Sequence, residues 1–524
     1  MLSLSRLALA NTTNADAGYE FFIGSSSDCT NAKEIFPPAP IKIVGALPEW
    51  LKGSYFVAGP HMQKIGSTRV QHFLDGLGKM YRFDMEPTSQ TAAWSSAWIK
   101  SALYNRSAEM GKEAPTVQFQ ETTPPRGYSG VRNALFGVND NDYVANFPAA
   151  DGSSMLGTTD DTFVTRYSTD LQRFSRFAWS DDLVPRLHQA QAVAHPVLNA
   201  TSGVMTGLLI VSPELPIGSP YAQLYRTLPA DPTRRVALGG QIGLANAGVY
   251  MHSFGLSDSH AVVCEHAWKV DSELLIKGEM FEGATAIEPH TKTLLHVIDL
   301  ATGKVTTHSS TAAFLCVHFT NLHNNGSALV FDMPTWQTVP GSDAPCQPYE
   351  VFDFARVDNK SQRDAFSERC ANTLVRHAIP LAAAPSAPPA NASFEVLDGG
   401  WFEYPFFNLD WRGRRSCFIY LTEWFADGAT FGAMAIVKFD TCRRERAATF
   451  YQPALYPSEP HFVGRPGATA EDDGVVITTM MDGADGGHAA HVAVLDARSM
   501  STVATLPLGE HVPSTVHGWF RFSS

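Results

Sequence analysis

Val297-Ile298-Asp299-Leu300-Ala301-Thr302-Gly303-Lys304-Val305-Thr306-Thr307 reads as a strand, a turn and a returning strand, with an aspartate where the first strand ends. Asp suits that position because its carboxylate can cap the turn's own backbone amides. The shape recurs. Val437-Lys438-Phe439-Asp440 is followed by Ala448-Thr449-Phe450-Tyr451, and Val494-Leu495-Asp496 leads through a short turn to Thr502-Val503-Ala504. Tyr81-Arg82-Phe83-Asp84 and Arg166-Tyr167-Ser168-Thr169-Asp170 are fainter copies. Elsewhere short β-runs broken by turn residues dominate, and long helical periods are few. Repeated outer hairpins of this kind point to a β-propeller. Irregular spacing with long insertions fits loops on one face that have grown into a cap. The rival, two or three β-sandwich domains, needs linkers. Only Ala382–Asn391 resembles one; the histidine pattern continues on both sides of it, so it reads as a surface loop. The expected class is all-β: a single propeller domain over residues 18–524, with a cap of loops and short helices over one face.

Bulk properties bound the function. Hydrophobic content of 44% and charged content of 17% in 524 residues describe a globular chain able to bury a large core. A net charge of −13 with no basic patch argues against a nucleic-acid partner. The seven cysteines, at 29, 264, 316, 346, 370, 417 and 442, form no C-x-x-C pair. Their odd number and irregular spacing predict reduced, buried thiols in an intracellular protein. No run reaches the ~18–20 apolar residues of a spanning helix. Residues 1–17 read as a disordered tail or a weak targeting segment. The compartment expected is therefore the cytoplasm, with membrane association, and the mitochondrion is the alternative.

Four histidines stand out among the 18. His195 lies in Ala-His-Pro, where the following proline favours extended backbone. His252 sits in Val249-Tyr-Met-His-Ser-Phe254 and His318 in Ala313-Phe-Leu-Cys-Val-His-Phe319, both read as apolar strands in which an unpaired imidazole is costly. His517 stands in Val516-His-Gly-Trp-Phe520, near a terminus that frays unless something ties it down. A lone histidine on an apolar strand is usually a satisfied core residue. Four spread over more than 300 residues cannot form a local metal finger, but they can gather at the axis of a closed, repetitive β-structure. Neutral imidazole suits iron, copper, zinc or nickel. Ligating histidines need a partner on the other ring nitrogen, and acids in matching settings are present: Asp160 before Phe163-Val-Thr, Glu403 in Trp401-Phe-Glu-Tyr-Pro-Phe406, and Glu459 in Tyr456-Pro-Ser-Glu-Pro460.

These segments carry a resemblance. From Leu47-Pro-Glu-Trp-Leu-Lys-Gly53 to the C-terminus the chain resembles the carotenoid cleavage oxygenases, the family of the animal β-carotene oxygenases and the retinal pigment epithelium isomerohydrolase. The sharpest stretches are Tyr456-Pro-Ser-Glu-Pro-His-Phe-Val-Gly-Arg-Pro466, Glu471-Asp-Asp-Gly-Val-Val476 and Val516–Phe520. The resemblance implies a seven-bladed propeller with Fe(II) on its axis, held by His195 (the family's A-H-P), His252 (H-S-F), His318 (H-x-x-N, with Asn321) and His517 (H-G-x-F). It implies that Asp160, Glu403 and Glu459 support three of these histidines. The family's residue at the first of those acids is Glu, so Asp160 calls for a closer backbone or a bridging water. Other departures are Val57-Ala-Gly59-Pro60 for R-N-G-P, His72-Phe-Leu-Asp75-Gly76 for H-x-F-D-G, and Asn324 where the family has Glu.

The implied chemistry is oxidative cleavage of one double bond of a carotenoid or apocarotenoid by Fe(II) and O2, giving aldehyde or ketone products. It calls for no catalytic residue beyond the metal centre and for an apolar tunnel lined by some of the 32 Phe. Because polyenes partition into membranes, peripheral membrane contact is expected, with Trp98-Ile-Lys-Ser-Ala-Leu-Tyr104 as the candidate rim. Isomerases or isomerohydrolases on the same ligands, and carotenoid binders without catalysis, are the alternatives. The stilbene cleavers of the family carry Lys before the first supporting acid, and Thr159 stands there here.

Overall fold

The computed structural model describes every residue except 1–14, 27–32, 129–139, 182, 186–187, 200–201, 214–218, 246–248, 289, 343, 382–389 and 524. The stretch expected as a surface loop, 382–391, therefore falls almost wholly outside the described residues, as does Cys29.

Alternation of apolar and polar residues builds antiparallel strands, and these assemble into seven sheets arranged as the blades of a propeller. Blade 1 runs in the order Ile35–Ile41, Thr91–Trp98, Leu77–Glu86, Gly53–Met62, Gly518–Phe522. Blade 2 holds Ala145–Pro148 to Phe174–Arg176, and blade 3 holds His188–Ala192 to Asp231–Ala237. Blade 4 spans Gly255–Leu256 to Val305–Ser309, blade 5 His323–Asn324 to Ser393–Asp398, and blade 6 Trp401–Phe406 to Glu445–Tyr451. Blade 7 contains Leu455–Pro457, His461–Gly464, Gly474–Asp482, Ala490–Asp496 and Thr502–Pro507, with Val44–Gly45 at its edge.

The two ends of the chain close the ring. The last strand pairs with Gly53–Met62 of blade 1, Val57 opposite Gly518 and Gly53 opposite Phe522. Val44 meanwhile pairs with Thr505 in blade 7. Between these two blades Tyr81, Phe83 and Trp94 pack against Val475, Ile477 and Val494. Such inter-blade layers are the core: one sheet alone has no partner for its apolar face.

The hairpin aspartates act as read. The carboxylates of Asp299, Asp440 and Asp496 each accept two amides of the following turn, at 2.8–3.1 Å. Asp170 accepts the Gln172 amide at 3.1 Å. Asp84 departs from the pattern. It lies inside a strand that runs on to Glu86 and accepts Arg82 Nε at 2.7 Å, while the turn falls at Pro87–Gln90.

Long insertions carry the cap. Its helices include Ala102–Met110, started by Ser101 Oγ accepting the Tyr104 amide at 3.1 Å, and Ser272–Lys277, started by Asp271. Phe354–Val357 and Lys360–Ala365 follow one another in blade 5's insertion. Ala15 and Asp16, within the segment expected to be loose, are buried. The Tyr456 hydroxyl donates to the carbonyls of Ala15 and Ala17, and Asp16 pairs with Lys360 and Arg363.

Two sequence expectations are overturned. Cys346–Cys370 and Cys417–Cys442 are disulfides, with Cα atoms 4.9 and 5.1 Å apart. The spacings of 24 and 25 residues hid them, because each pair meets only when strands fold back on themselves. Cys264 and Cys316 are buried free thiols, as read. The proposed rim at Trp98–Tyr104 also fails: Trp98, Ile99 and Leu103 are buried, so of its apolar residues only Ala102 and part of Tyr104 reach the surface.

Candidate metal centre

Each blade sends one polar side chain toward the axis, four histidines and three acids in all. His195 comes from the bend between Ala192 and Val197 in blade 3. His252 and His318 precede the first strands of blades 4 and 5, and His517 directly precedes Gly518–Phe522 of blade 1. Asp160 lies between Ser154–Thr158 and Val164–Ser168 of blade 2. Glu403 lies on the first strand of blade 6, and Glu459 follows Leu455–Pro457 of blade 7. His252 and His318 are thus in extended, unpaired segments rather than on strands. Seven blades converge at the axis, and their rings must all aim inward, which alternating strand geometry does not allow.

The structure brings the four imidazoles together, with one nitrogen of each within 4.8 Å of the others. In five of the six pairs the ring centroids stand 4.3–5.0 Å apart. The outer nitrogens of three rings are tied to carboxylates: His252 Nδ1 to Asp160 at 2.7 Å, His318 Nδ1 to Glu403 at 2.7 Å and His517 Nδ1 to Glu459 at 2.6 Å. A carboxylate accepts, so each Nδ1 carries the proton and each Nε2 keeps a lone pair facing the centre. Among the described residues, His195 has no acid partner.

The residues fit a metal ion. His318 Nε2 is buried with no hydrogen-bond partner, a costly state for a ring nitrogen unless something binds it. His195 Nε2 and His252 Nε2 lie 3.0 Å apart. That is the separation of two donors sharing a cation at right angles with bonds of about 2.1 Å. Two of the donors are held neutral by their surroundings. Burial, reinforced by the neighbouring imidazoles, holds His195 well below the usual histidine range, and burial pushes His318 down to about 4. Burial raises the Glu403 carboxyl, but His318, Trp336 Nε1 and the Tyr404 amide outweigh it and hold it below the ordinary carboxylate range. Glu459 is likewise raised by burial and held low by His517 and the Gly518 amide.

Asp160 reaches its histidine directly, with no bridging atom. Its other oxygen accepts the Ala194 amide at 3.0 Å, so one short acid fixes both His252 and the backbone leading to His195. The Tyr250 hydroxyl also donates to Asp160, and Trp336 Nε1 donates to Glu403 at 2.6 Å. Sequence reasoning missed both; the signal for Tyr250 was its place two residues before His252. Gly518 is required beside His517: a Cβ there would lie 2.5 Å from the Tyr55 hydroxyl. Asn321 of the H-x-x-N motif does not face the histidines. Its amide binds the carbonyls of Trp411 and Arg414 and the amide of Gly413, joining blade 5 to blade 6. Asn324 is exposed and closes a turn on the Gly326 amide. His72 and Asp75 act as clamps: His72 binds the Tyr349 carbonyl at 3.0 Å, and Asp75 accepts the amides of Phe119 and Gln120.

His252, His318 and His517 wall a cavity of about 490 Å³. Some of the phenylalanines do line it, as expected: four Phe stand there beside seven Tyr and Trp. Away from the histidines Asp75, Glu113 and Gln118 face the same space.

A family model described as retinal pigment epithelial membrane protein matches residues 29–521. The chain is 25% identical over 514 residues to the carotenoid isomerooxygenase of Galleria mellonella, covering 93% of this chain and 94% of that protein. It is 22% identical over 534 residues to the human beta,beta-carotene 15,15'-dioxygenase, covering 94% and 93%. Among solved structures, a variant of the Synechocystis apocarotenoid oxygenase aligns with a TM-score of 0.76 at 18% identity, over 97% of this chain and 100% of that one, a likeness of fold. With a family model spanning nearly its whole length and a matching fold, the chain belongs to the retinal pigment epithelial membrane protein family of carotenoid oxygenases.

Proposed function

We propose that the chain is an Fe(II)-dependent carotenoid oxygenase that cleaves one double bond of a carotenoid or apocarotenoid. The observation that carries the reading is the convergence of four imidazoles on one point at the wall of an aromatic cavity. His195, His252, His318 and His517 would hold the iron. When bound there, Fe(II) would supply activation of O2 toward a polyene double bond. The chain's own residues do the rest. Asp160, Glu403 and Glu459 hold each Nδ1 proton and so fix three rings with their lone pairs inward. The Tyr and Trp side chains of the cavity orient the polyene and exclude water, and cavity depth sets which bond meets the histidines.

Substrate must come from a membrane. No helix among the described residues is long and apolar enough to cross one. Met110 and Val117 are 42% and 43% exposed, and Val117 also lines the cavity. They are our candidate for peripheral membrane contact.

The test is anaerobic loading with Fe(II), then incubation with a carotenoid panel in detergent under 18O2, with products read by mass spectrometry. Two labelled carbonyl fragments support cleavage and name the bond. Unchanged mass with altered double-bond geometry turns the reading to an isomerase. A wild-type protein that binds no iron overturns it.

A further inference from the structure

The histidine cluster has two sides. A second chamber of about 150 Å³ touches His195, His318 and His517 and shares only the last two with the aromatic cavity. Neighbouring residues straddle the cluster: Val144 lines the first cavity and Ala145 the second, Tyr404 the first and Pro405 the second, and Val516 and Gly518 line one each on either side of His517. The chain thus passes from one space to the other at several blades, and the chamber lies on the opposite side of the histidines from the aromatic cavity.

One charged side chain in this chamber has no protein partner. Arg412 forms no hydrogen bond through its guanidinium and no ion pair among the described residues, and its Nη1 is buried and unpartnered. Its guanidinium carbon lies 5.8 Å from the centroid of the Phe407 ring. Burial pushes the guanidinium down to about 10, with no ionic neighbour to offset it, so it stays charged at neutral pH. The chamber's carboxylate, Glu459, is already committed through both oxygens to His517 and the Gly518 amide. The rest of the lining is largely apolar, including Phe147, Phe254 and Trp519, with Asn146, Ser253 and Thr320 as its polar members. Arg412 is half-buried, but its Nη1 is fully enclosed, and an enclosed, uncompensated charge against apolar walls is unfavourable unless an anion completes it.

We propose that this axial chamber binds a small planar oxyanion of the carboxylate or carbonate kind, held by the Arg412 fork. Guanidinium matches such anions through two parallel hydrogen bonds. An anion bound there sits beside the histidines without occupying the polyene's cavity, so it acts on the centre without competing with substrate. The binding rests on Arg412 and not on the iron reading, and its test uses no metal.

Metal-free, full-length protein is titrated with 13C-formate and followed by broadening of the formate resonance. Saturable binding at one equivalent is expected. Arg412→Gln should weaken it about tenfold or more at an unchanged melting temperature, because the guanidinium has no protein hydrogen bond to lose. Arg412→Lys should retain weaker binding. Displacement by bicarbonate but not butyrate marks an inorganic ligand; displacement by butyrate as well marks an organic acid. Absence of saturable binding in the wild type overturns the proposal. So does binding that Arg412→Gln leaves intact.

Discussion

At the scale of single residues, the centre depends on hydrogen bonds that aim rings. Asp160 binds His252 Nδ1 and the Ala194 amide at once, so it orients two of the four imidazoles. Asp160→Asn should lower metal affinity about 10- to 100-fold, as loss of such outer partners does, while the metal-free protein melts unchanged. A metal-binding titration checks it; wild-type affinity would show that Asp160 is dispensable. Trp336→Phe removes one of the donors to Glu403 and should have a smaller effect in the same assay. The histidines and acids were legible because their local sequence is distinctive. Tyr250 and Trp336 were not, since their partners lie 90 and 67 residues away.

At the scale of elements, hairpins and their staples set local stability. Asp299 caps its turn through two amides, and Asp299→Ala should cost about 1 kcal/mol in denaturant unfolding. Cys417, just before the second strand of blade 6, and Cys442, just after the third, close a loop that contains both strands. Replacing both with serine should cost about 3 kcal/mol, with a matching loss under reducing conditions in the wild type and none in the variant. The hairpins were readable because turn chemistry is local. The disulfides were not, since spacing alone says nothing about which strand ends meet.

For the whole molecule, closure and buried charge matter most. Phe520 on the closing strand is 6% exposed and packs in the layer between blades 1 and 7. Phe520→Ala should cost about 3–5 kcal/mol, seen as a fall in melting temperature of the metal-free protein. Buried acids add a pH dependence. Burial pushes Asp75 up to about 7, Glu113 to about 8 and Glu282 to about 7. The folded chain keeps these protons where the unfolded chain has released them. Stability from these groups is therefore full below the ordinary carboxylate range near pH 4 and falls as pH rises to about 8, by up to about 1.4 kcal/mol per pH unit for each group. Glu113→Gln should flatten that decline; an unchanged slope would remove Glu113 from the account.

Sequence by itself determined the propeller, because strand alternation and aspartate-capped turns act within a dozen residues, and it determined the seven side chains that meet on the axis. Their motifs are short and individually distinctive. Only the tertiary structure decided how one carboxylate serves two histidines, which cysteines pair, and that a lone guanidinium faces the second side of the centre. Those facts are distances between residues far apart in the chain, and they exist only once seven blades have closed into a ring.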